Sequence, residues 1–592
     1  MPEGVDRGAN RGLALNQGVW RIAALALLLA TAFTYFAWLG DMPLSDRDEG
    51  EYAASVAAMI RSGDYLVPTL NGEHYLEKPI LLFWSIAASF RAWGPGEFAA
   101  RFPSALSAFL LVLLTGLLVW RVSGSLAPAT LAAGALAFSP LLVLVGRACL
   151  TDALLTLFTT FSLAAFFLAQ EAEPPGERFW YLAAWAGLGL GFLTKGPVAA
   201  AVVLPPALIY AIWQGRLGRA LKGSHLLWGL LVFTLINLPW YGLAFYELGG
   251  EFWRSFFLDQ NLRRFGEVLL GHGGNLAYYL PVLFFGAFPF SAAALPALVR
   301  ALGKNPALAR RADPLARLRL LAAISLLWTV IVFSLAATKQ INYILPALPF
   351  AAILAGYFLW RLGAGEAPGR AARIIFWGFL AFGAVVWFLA LAGVPLGIKI
   401  FWSDLQAAIR PDSSEYALPA QAPLMIFWPL ATALAGAAFL ALAWWLERQQ
   451  MRAWLGLGLV GAGLVFCTCM GMGLLPSAAA VVQEPAREMA LALKARVGED
   501  VQVLSYGLWK PSLLYYLDRD IPSLETKDKL RLARLLSTRE PVLVLTRLRL
   551  GKKLRSMSAF QAIAPFSGYL LGGNRAARAL WQGTVPSGEA QR

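Results

Sequence analysis

Two short stretches hold most of the residues able to do chemistry. The first reads Ser45-Asp46-Arg47-Asp48-Glu49-Gly50-Glu51-Tyr52, and the second Leu70-Asn71-Gly72-Glu73-His74-Tyr75-Leu76-Glu77-Lys78-Pro79. Ionisable side chains gathered beside apolar runs are costly to hold there, so they point to chemistry at a bilayer surface. The pattern from Asp46 to Tyr52 starts an interfacial helix, with Tyr52, Val56 and Met59 or Ile60 as its stripe and Ser45 or Asp46 as its cap. In its first turn, Asp48 and Glu49 complement the helix dipole; carboxylates so placed also stay ionised, as a base or metal ligand must. Asn71-Gly72 marks a turn. Lys78, kept extended by Pro79, offers a phosphate a point charge with three donors; an anchoring lysine that reaches out of the membrane is the plainer alternative.

Four more segments carry isolated polar groups between apolar runs. Thr194-Lys195-Gly196-Pro197 needs an anion for its lysine, either a lipid phosphate or a neighbouring carboxylate. Arg147 and Asp152 are five apart, which is not a helical pairing; Asp152 can cap the following helix and Arg147 can face an anion. His272 follows Arg263-Arg264-Phe265 and, with Glu77, makes a sparse two-ligand metal site; a lone histidine is more often structural. Thr338-Lys339-Gln340-Ile341-Asn342-Tyr343 completes the set.

The elements that must position these residues are membrane helices. Of 592 residues, 58% are hydrophobic and 14% charged, whereas a soluble chain carries about a quarter charged. Apolar runs at 22–39, 102–120, 127–145, 153–168, 179–193, 198–213, 226–246, 276–298, 320–336, 341–360, 374–396, 423–446 and 454–475 predict a mainly α, polytopic protein with about 13 transmembrane helices. The first run reads as a signal anchor. The net charge of +15 does not indicate nucleic acid, because many basic residues sit in short loops between spans. Arg7, Arg11 and Arg21 place the N-terminus inside, and Arg216, Arg219, Lys222, Arg300, Arg317 and Arg448 fall on the same side. The polar segments then share the opposite, outer face. Cys149, Cys467 and Cys469 form neither a disulfide framework nor a metal cluster.

Residues 1–475 read as the membrane domain, with an outer loop at 41–101, and 476–592 as a small outer-face α/β domain. In the latter, 485–496, 513–517 and 527–536 have helical patterns, while 501–505 and 542–545 read as buried strands.

The run Asp48-Glu49-Gly50-Glu51-Tyr52-Ala53, Val67-Pro68-Thr69-Leu70-Asn71-Gly72 and Tyr75-Leu76-Glu77-Lys78-Pro79 resembles the first outer loop of bacterial aminoarabinose lipid A transferases, members of the protein-mannosyltransferase superfamily with the GT-C glycosyltransferase fold. Gly189 to Pro197, Asn261 to Phe265 with His272 and Tyr278 to Pro281, and Phe333 to Pro346 resemble further signatures. The resemblance implies an inverting transfer of aminoarabinose or a related sugar from undecaprenyl phosphate to lipid A or another envelope acceptor. It places the protein in the inner membrane, acting as a monomer on the periplasmic side. It makes Asp48 the base or acceptor-positioning group and Asp152 a second acid near the sugar. Lys78 and Lys195, helped by Arg264, become phosphate ligands; Tyr52, Tyr75, Lys339 and Tyr343 join the substrate site. Glu77 and His272 match a divalent-metal site, with zinc expected. Two departures stand out: Glu51 replaces a usual arginine, and Gly273-Gly274-Asn275-Leu276-Ala277 replaces a more aromatic stretch. Transfer to protein Ser/Thr is the alternative within enzymes; a lipid or sugar flippase is the alternative outside them.

Overall fold

Apolar runs of this length satisfy their backbone groups in hydrocarbon only as helices or closed barrels, and this chain forms helices. The computed structural model describes residues 15–173, 175–263, 266–268, 273–303, 313–366, 369–408, 427–449, 451–498 and 500–583. The front half runs α1 (Gln17–Phe36), α2 (Asp48–Ser62), α3 (Leu81–Trp93), α4 (Glu97–Ser123), α5 (Leu126–Ala137), α6 (Pro140–Gly146), α7 (Thr151–Glu171), α8 (Gly176–Lys195), α9 (Pro197–Gln214), α10 (Leu217–Ala220) and α11 (Gly223–Leu248). Among the described residues, ten helices are long and apolar enough to cross a membrane, or twelve if each of two bent pairs is one span. The expected span at 127–145 is the α5–α6 pair, bent by 61°. Pro140 cannot donate to the preceding turn, which breaks the helix there. The span expected at 276–298 is Tyr279–Gly286 with Ser291–Leu302, bent by 117°. The thirteenth expected span, 179–193, lies inside α8, which is helical throughout. Its Glu177 and Arg178 and its glycines at 187, 189 and 191 leave it less apolar than the rest.

Small residues and aromatics of α4, α5, α7, α9 and later helices fill one large core. Outward faces remain apolar: Leu227 is 71% exposed and Ile374 63%. Such faces need hydrocarbon around them, so the chain is a multi-pass membrane protein.

Above the bundle, residues 37–96 fold into a cap whose centre is an ion pair. Arg101, near the start of α4, and Glu49, in the first turn of α2, are 2% and 4% exposed. Arg101 donates Nε to Glu49 Oε1 at 2.8 Å and Nη2 to Oε2 at 3.0 Å. It also donates to the carbonyls of Leu39, Met42 and Pro43. Glu49 accepts from the Ser45 and Cys149 amides at 2.9 and 2.8 Å. Burial pulls the Glu49 carboxyl upward, but the guanidinium and the two amides outweigh it and hold it below the usual carboxylate range.

The expected cap is corrected here. Neither Ser45 nor Asp46 caps α2; Arg47 occupies that position at φ 65° with no side-chain cap bond. Asp46 is instead buried against Lys510, and Ser512 donates to it at 2.6 Å. At Asn71-Gly72 the chain turns with φ of 55° and 81°, which joins β1 (Thr69–Leu70) to β2 (Glu73–His74) as a hairpin.

Residues 502–573 carry a five-stranded sheet in the order β4-β3-β5-β7-β6. Its strands are β3 (Gln502–Tyr506), β4 (Ser523–Leu524), β5 (Val542–Arg547), β6 (Gln561–Phe566) and β7 (Tyr569–Gly573). Parallel pairs β3–β4 and β3–β5 continue into antiparallel β5–β7 and β6–β7. Helices Glu484–Arg496, Pro511–Leu517 and Lys529–Leu536 match the expected pattern, and the sheet buries apolar side chains on both faces. This unit grips the cap at several places besides Asp46, among them Arg61, which pairs with Asp518. Asn71 exchanges hydrogen bonds with the Ile521 backbone, and the Leu44 amide donates to Tyr516 Oη at 2.8 Å. Gly50 allows the approach, because a Cβ there would stand 2.7 Å from the Ser512 amide nitrogen.

Removing one partner of a buried ion pair strands the other charge, at a cost of about 3–5 kcal/mol. Arg101→Met and Glu49→Leu are each expected to lower the thermal midpoint in detergent by several degrees, and the double variant to recover part of the loss. Unchanged midpoints in both single variants would contradict the role of this pair.

Candidate active site

Two lysines, an acid and a tyrosine from distant segments line one cavity of about 120 Å³: Glu77, Lys78, Lys195 and Tyr343. The rest of the lining is mainly apolar, including Val198, Val202, Phe256, Val332 and Phe333. Lysines beside an apolar wall suit a ligand with an anionic head and a hydrocarbon tail.

Each side chain has a local reason for its place. Lys195 ends α8, and Gly196 turns the chain into α9 at φ +67°. A side chain at Gly196 would also meet the Phe256 ring, with Cβ 2.9 Å from Cζ. Lys195 Nζ donates to Asp152 Oδ1 at 2.7 Å and lies 4.6 Å from the Tyr343 ring centroid. Asp152 stands in the first turn of α7 without capping it, and its Oδ2 accepts from Asn342 at 2.8 Å. Of the two sources weighed for an anion beside Lys195, the protein supplies the carboxylate. Lys78 lies 3.7 Å from Glu77 and is 8% exposed.

Next to this cavity, α2 and the hairpin form an acidic wall. Tyr52 Oη donates to Asp48 Oδ1 at 3.0 Å, and Tyr75 Oη to Glu51 Oε2 at 2.7 Å. Both tyrosines are buried and pack on Phe83. Burial pushes the Glu51 carboxyl up to about 7; the Tyr75 hydrogen bond and Lys78 pull against this, while Glu77 and Asp48 add to it.

Two expected residues have other work. Lys339 is buried and donates to the carbonyls of Phe333, Ser334 and Ala336, so it closes the C-terminal end of helix Pro314–Leu335 and is not free to hold substrate. Arg147 donates to the carbonyls of Thr34, Ala37 and Trp38, which satisfies backbone between α1 and the cap. Arg264 and His272 lie outside the described residues. Glu77 lines the cavity and is one-third exposed, at 33%. Among the described residues no three His, Cys, Asp or Glu side chains stand together as a metal site.

Sequence reading missed the Glu49–Arg101 pair, the Asp46–Lys510 pair and the lining role of Gln260. Arg101 gave a signal: it is an arginine one residue before an apolar run, where burial demands partners. Nothing local links Lys510 to Asp46.

Three comparisons bear on this geometry. A family model described as dolichyl-phosphate-mannose-protein mannosyltransferase matches residues 77–242. The undecaprenyl phosphate-alpha-4-amino-4-deoxy-L-arabinose arabinosyl transferase of Pectobacterium carotovorum is 33% identical over 402 residues, covering 66% of this chain and 68% of the relative. A second enzyme of that description, from Pseudomonas fluorescens, is 34% identical over 383 residues, covering 63% of this chain and 61% of the relative. Crystal structures of ArnT from Cupriavidus metallidurans share the fold. The one bound to undecaprenyl phosphate has a TM-score of 0.75 at 21% identity, covering 95% of this chain and 99% of that one. The apo structure gives 0.72 at 22% identity, with the same coverage.

Because Asp152 and Lys195 act as a unit, their substitutions are expected to be non-additive. Asp152→Asn and Lys195→Met should each lower turnover by about 100-fold, with the double variant no worse than the poorer single. Losses that multiply in the double variant would show that the two residues act independently.

Proposed function

The chain belongs to the family of undecaprenyl phosphate-alpha-4-amino-4-deoxy-L-arabinose arabinosyl transferases, and from this premise we propose that it moves aminoarabinose or a related sugar from undecaprenyl phosphate to lipid A or another envelope acceptor. The cavity carries this reading: its lysine rim matches a phosphate head and its apolar wall matches a polyprenyl chain. The site then faces the periplasm, with the N-terminus in the cytoplasm and the protein in the inner membrane. The basic residues of the inner loops support that orientation.

In this mechanism the acceptor attacks the anomeric carbon from the side opposite the phosphate, giving inversion. The bond from that carbon to the phosphate oxygen breaks, and its electron pair leaves with undecaprenyl phosphate. Lys78 sits where negative charge grows on the leaving phosphate, and Lys195 supports it. Fixed charges at such a position favour the transition state without reorganising. Asp152 and Asn342 orient Lys195. Asp48, held by Tyr52, orients the acceptor. Arg264, which the family motif assigns to the phosphate, would be a third cation beside Lys78 and Lys195. Glu77 and His272 would hold a divalent ion, whose charge would assist an anionic acceptor; the place of Glu77 in the cavity lining supports this.

The test is transfer from a labelled carrier-linked sugar to lipid A by the purified protein in nanodiscs, read by product mass. Wild type is expected to add a pentosamine to lipid A. Lys78→Ala should lower kcat by about 100- to 1,000-fold. Full activity in that variant would remove Lys78 from the mechanism, and no consumption of any carrier-linked sugar by wild type would remove the proposed function.

A further inference from the structure

The two faces of the five-stranded sheet are unlike. One faces the cap: Ala54 of α2 is buried there with Met489, Leu513 and Leu517. The other is covered by the helices Lys529–Leu536 and Leu548–Leu554, whose Leu532, Leu536 and Leu554 are buried with Leu504, Val542 and Val544. With these leucines turned to the sheet, the remaining sides of both helices meet water, and those sides are basic. Arg549, Lys552, Lys553 and Arg555 are exposed on or just past the second helix, and Lys529, Arg531 and Arg534 on the first. Residues 529–588 hold a single acid, Glu540.

Other cations of this unit are paired. Lys527 lies 2.7 Å from Glu525, and Arg487 lies 3.1 Å from Glu97. Among the described residues none of the seven forms an ion pair. Arg549 and Lys553 are four apart on one helix, a spacing at which like charges repel. A surface that serves solubility alone mixes both signs. This one is of a single sign, which suits a multiply charged anion.

The position of the second helix shows where such an anion would be led. β3 and β5 run parallel, with Tyr506 beside Thr546. β5 leads straight into Leu548–Leu554, while β3 leads through Gly507 to Lys510, the partner of Asp46. A Cβ on Gly507 would stand 2.6 Å from Leu550 Cδ1. The basic helix therefore packs on the very segment that reaches the cap, two residues before Asp48.

We propose that this basic face captures an acceptor lipid through a headgroup bearing more than one phosphate, and delivers it to the wall of α2. The inference rests on the transfer reading above and adds to it a capture surface outside the donor cavity. Each phosphate monoester brings a charge of about −1.5 to −2 at neutral pH, so such a headgroup complements the seven cations. Attraction by a surface of one sign raises the rate of encounter, and salt screens it. The cations act on capture alone and take no part in making or breaking the glycosidic bond.

The test uses the full-length protein in phosphatidylcholine nanodiscs, labelled carrier-linked aminoarabinose, and lipid A with its phosphates as the probe acceptor. The double substitution Lys552→Glu with Lys553→Glu reverses two exposed charges and leaves Leu554 in the core. It is expected to lower kcat/KM for lipid A by about tenfold at low salt, with kcat at saturating lipid A, KM for donor and the thermal midpoint unchanged. High salt should bring wild type down to the variant, and Lys552→Arg with Lys553→Arg should behave as wild type. An unchanged kcat/KM in the glutamate variant, or a loss that persists at high salt, overturns the inference, while transfer by wild type leaves the proposed function standing. A loss that appears only when phosphatidylglycerol is added to the nanodiscs also overturns it, and assigns the face to the anionic bilayer. Binding of the same lipid A without donor is measured in parallel. If wild type transfers no sugar, the proposed function fails; weaker binding by the glutamate variant then still supports the capture surface, and equal binding overturns it.

Discussion

One carboxylate holds the cap of this protein in register. Glu49 sits in the first turn of α2 and binds the guanidinium at the start of α4, the Ser45 amide and the Cys149 amide. Arg101 spends its remaining donors on three carbonyls of the segment that leaves α1. Four pieces of chain thus meet at one nearly water-free ion pair. Its desolvation is costly, and only this complete set of partners offsets it. Asp48 and Glu51 flank Glu49 in the same turn, so the pair also sets the direction of the acidic wall. The segment preceding Asp152 is tied to the same point through Cys149.

The sheet-bearing unit reinforces this from the other side. It reaches α2 through Asp46, Lys510 and Ser512, and the hairpin through Asn71 and Ile521. The hairpin leads directly into Tyr75, Glu77 and Lys78. The sheet-bearing unit is therefore structurally coupled to the acidic wall beside the cavity. The donor cavity is supported differently. Its Lys195 is oriented by Asp152, buried among helices, while most of the remaining lining is apolar.

Much of this was legible in the sequence. Apolar runs had to become helices, and each predicted run that falls on described residues is helical, though Pro140 and the Pro289 region bend two of them. Glu77, Lys78, Lys195 and Tyr343, singled out in separate segments, line one cavity. Lys339 did not join them: a lysine just past a helix end has three carbonyls to satisfy, and in this chain those carbonyls won. The Asp46–Lys510 and Asn71–Ile521 links were not legible, because partners more than 400 residues apart leave no mark on local periodicity. Glu51 stood out only as a departure from a family pattern. Its hydrogen bond to Tyr75, 24 residues on, left no mark on the local sequence.

The central claim is that a polyprenyl phosphate lies in the cavity with its head against the lysine rim. An experimental structure of the protein with undecaprenyl phosphate bound tests it most directly. The account predicts phosphate density within hydrogen-bond reach of Lys78 Nζ, beside Lys195, and the chain running down the wall of Val198, Val202 and Val332. Phosphate bound elsewhere while this cavity holds no lipid would contradict it.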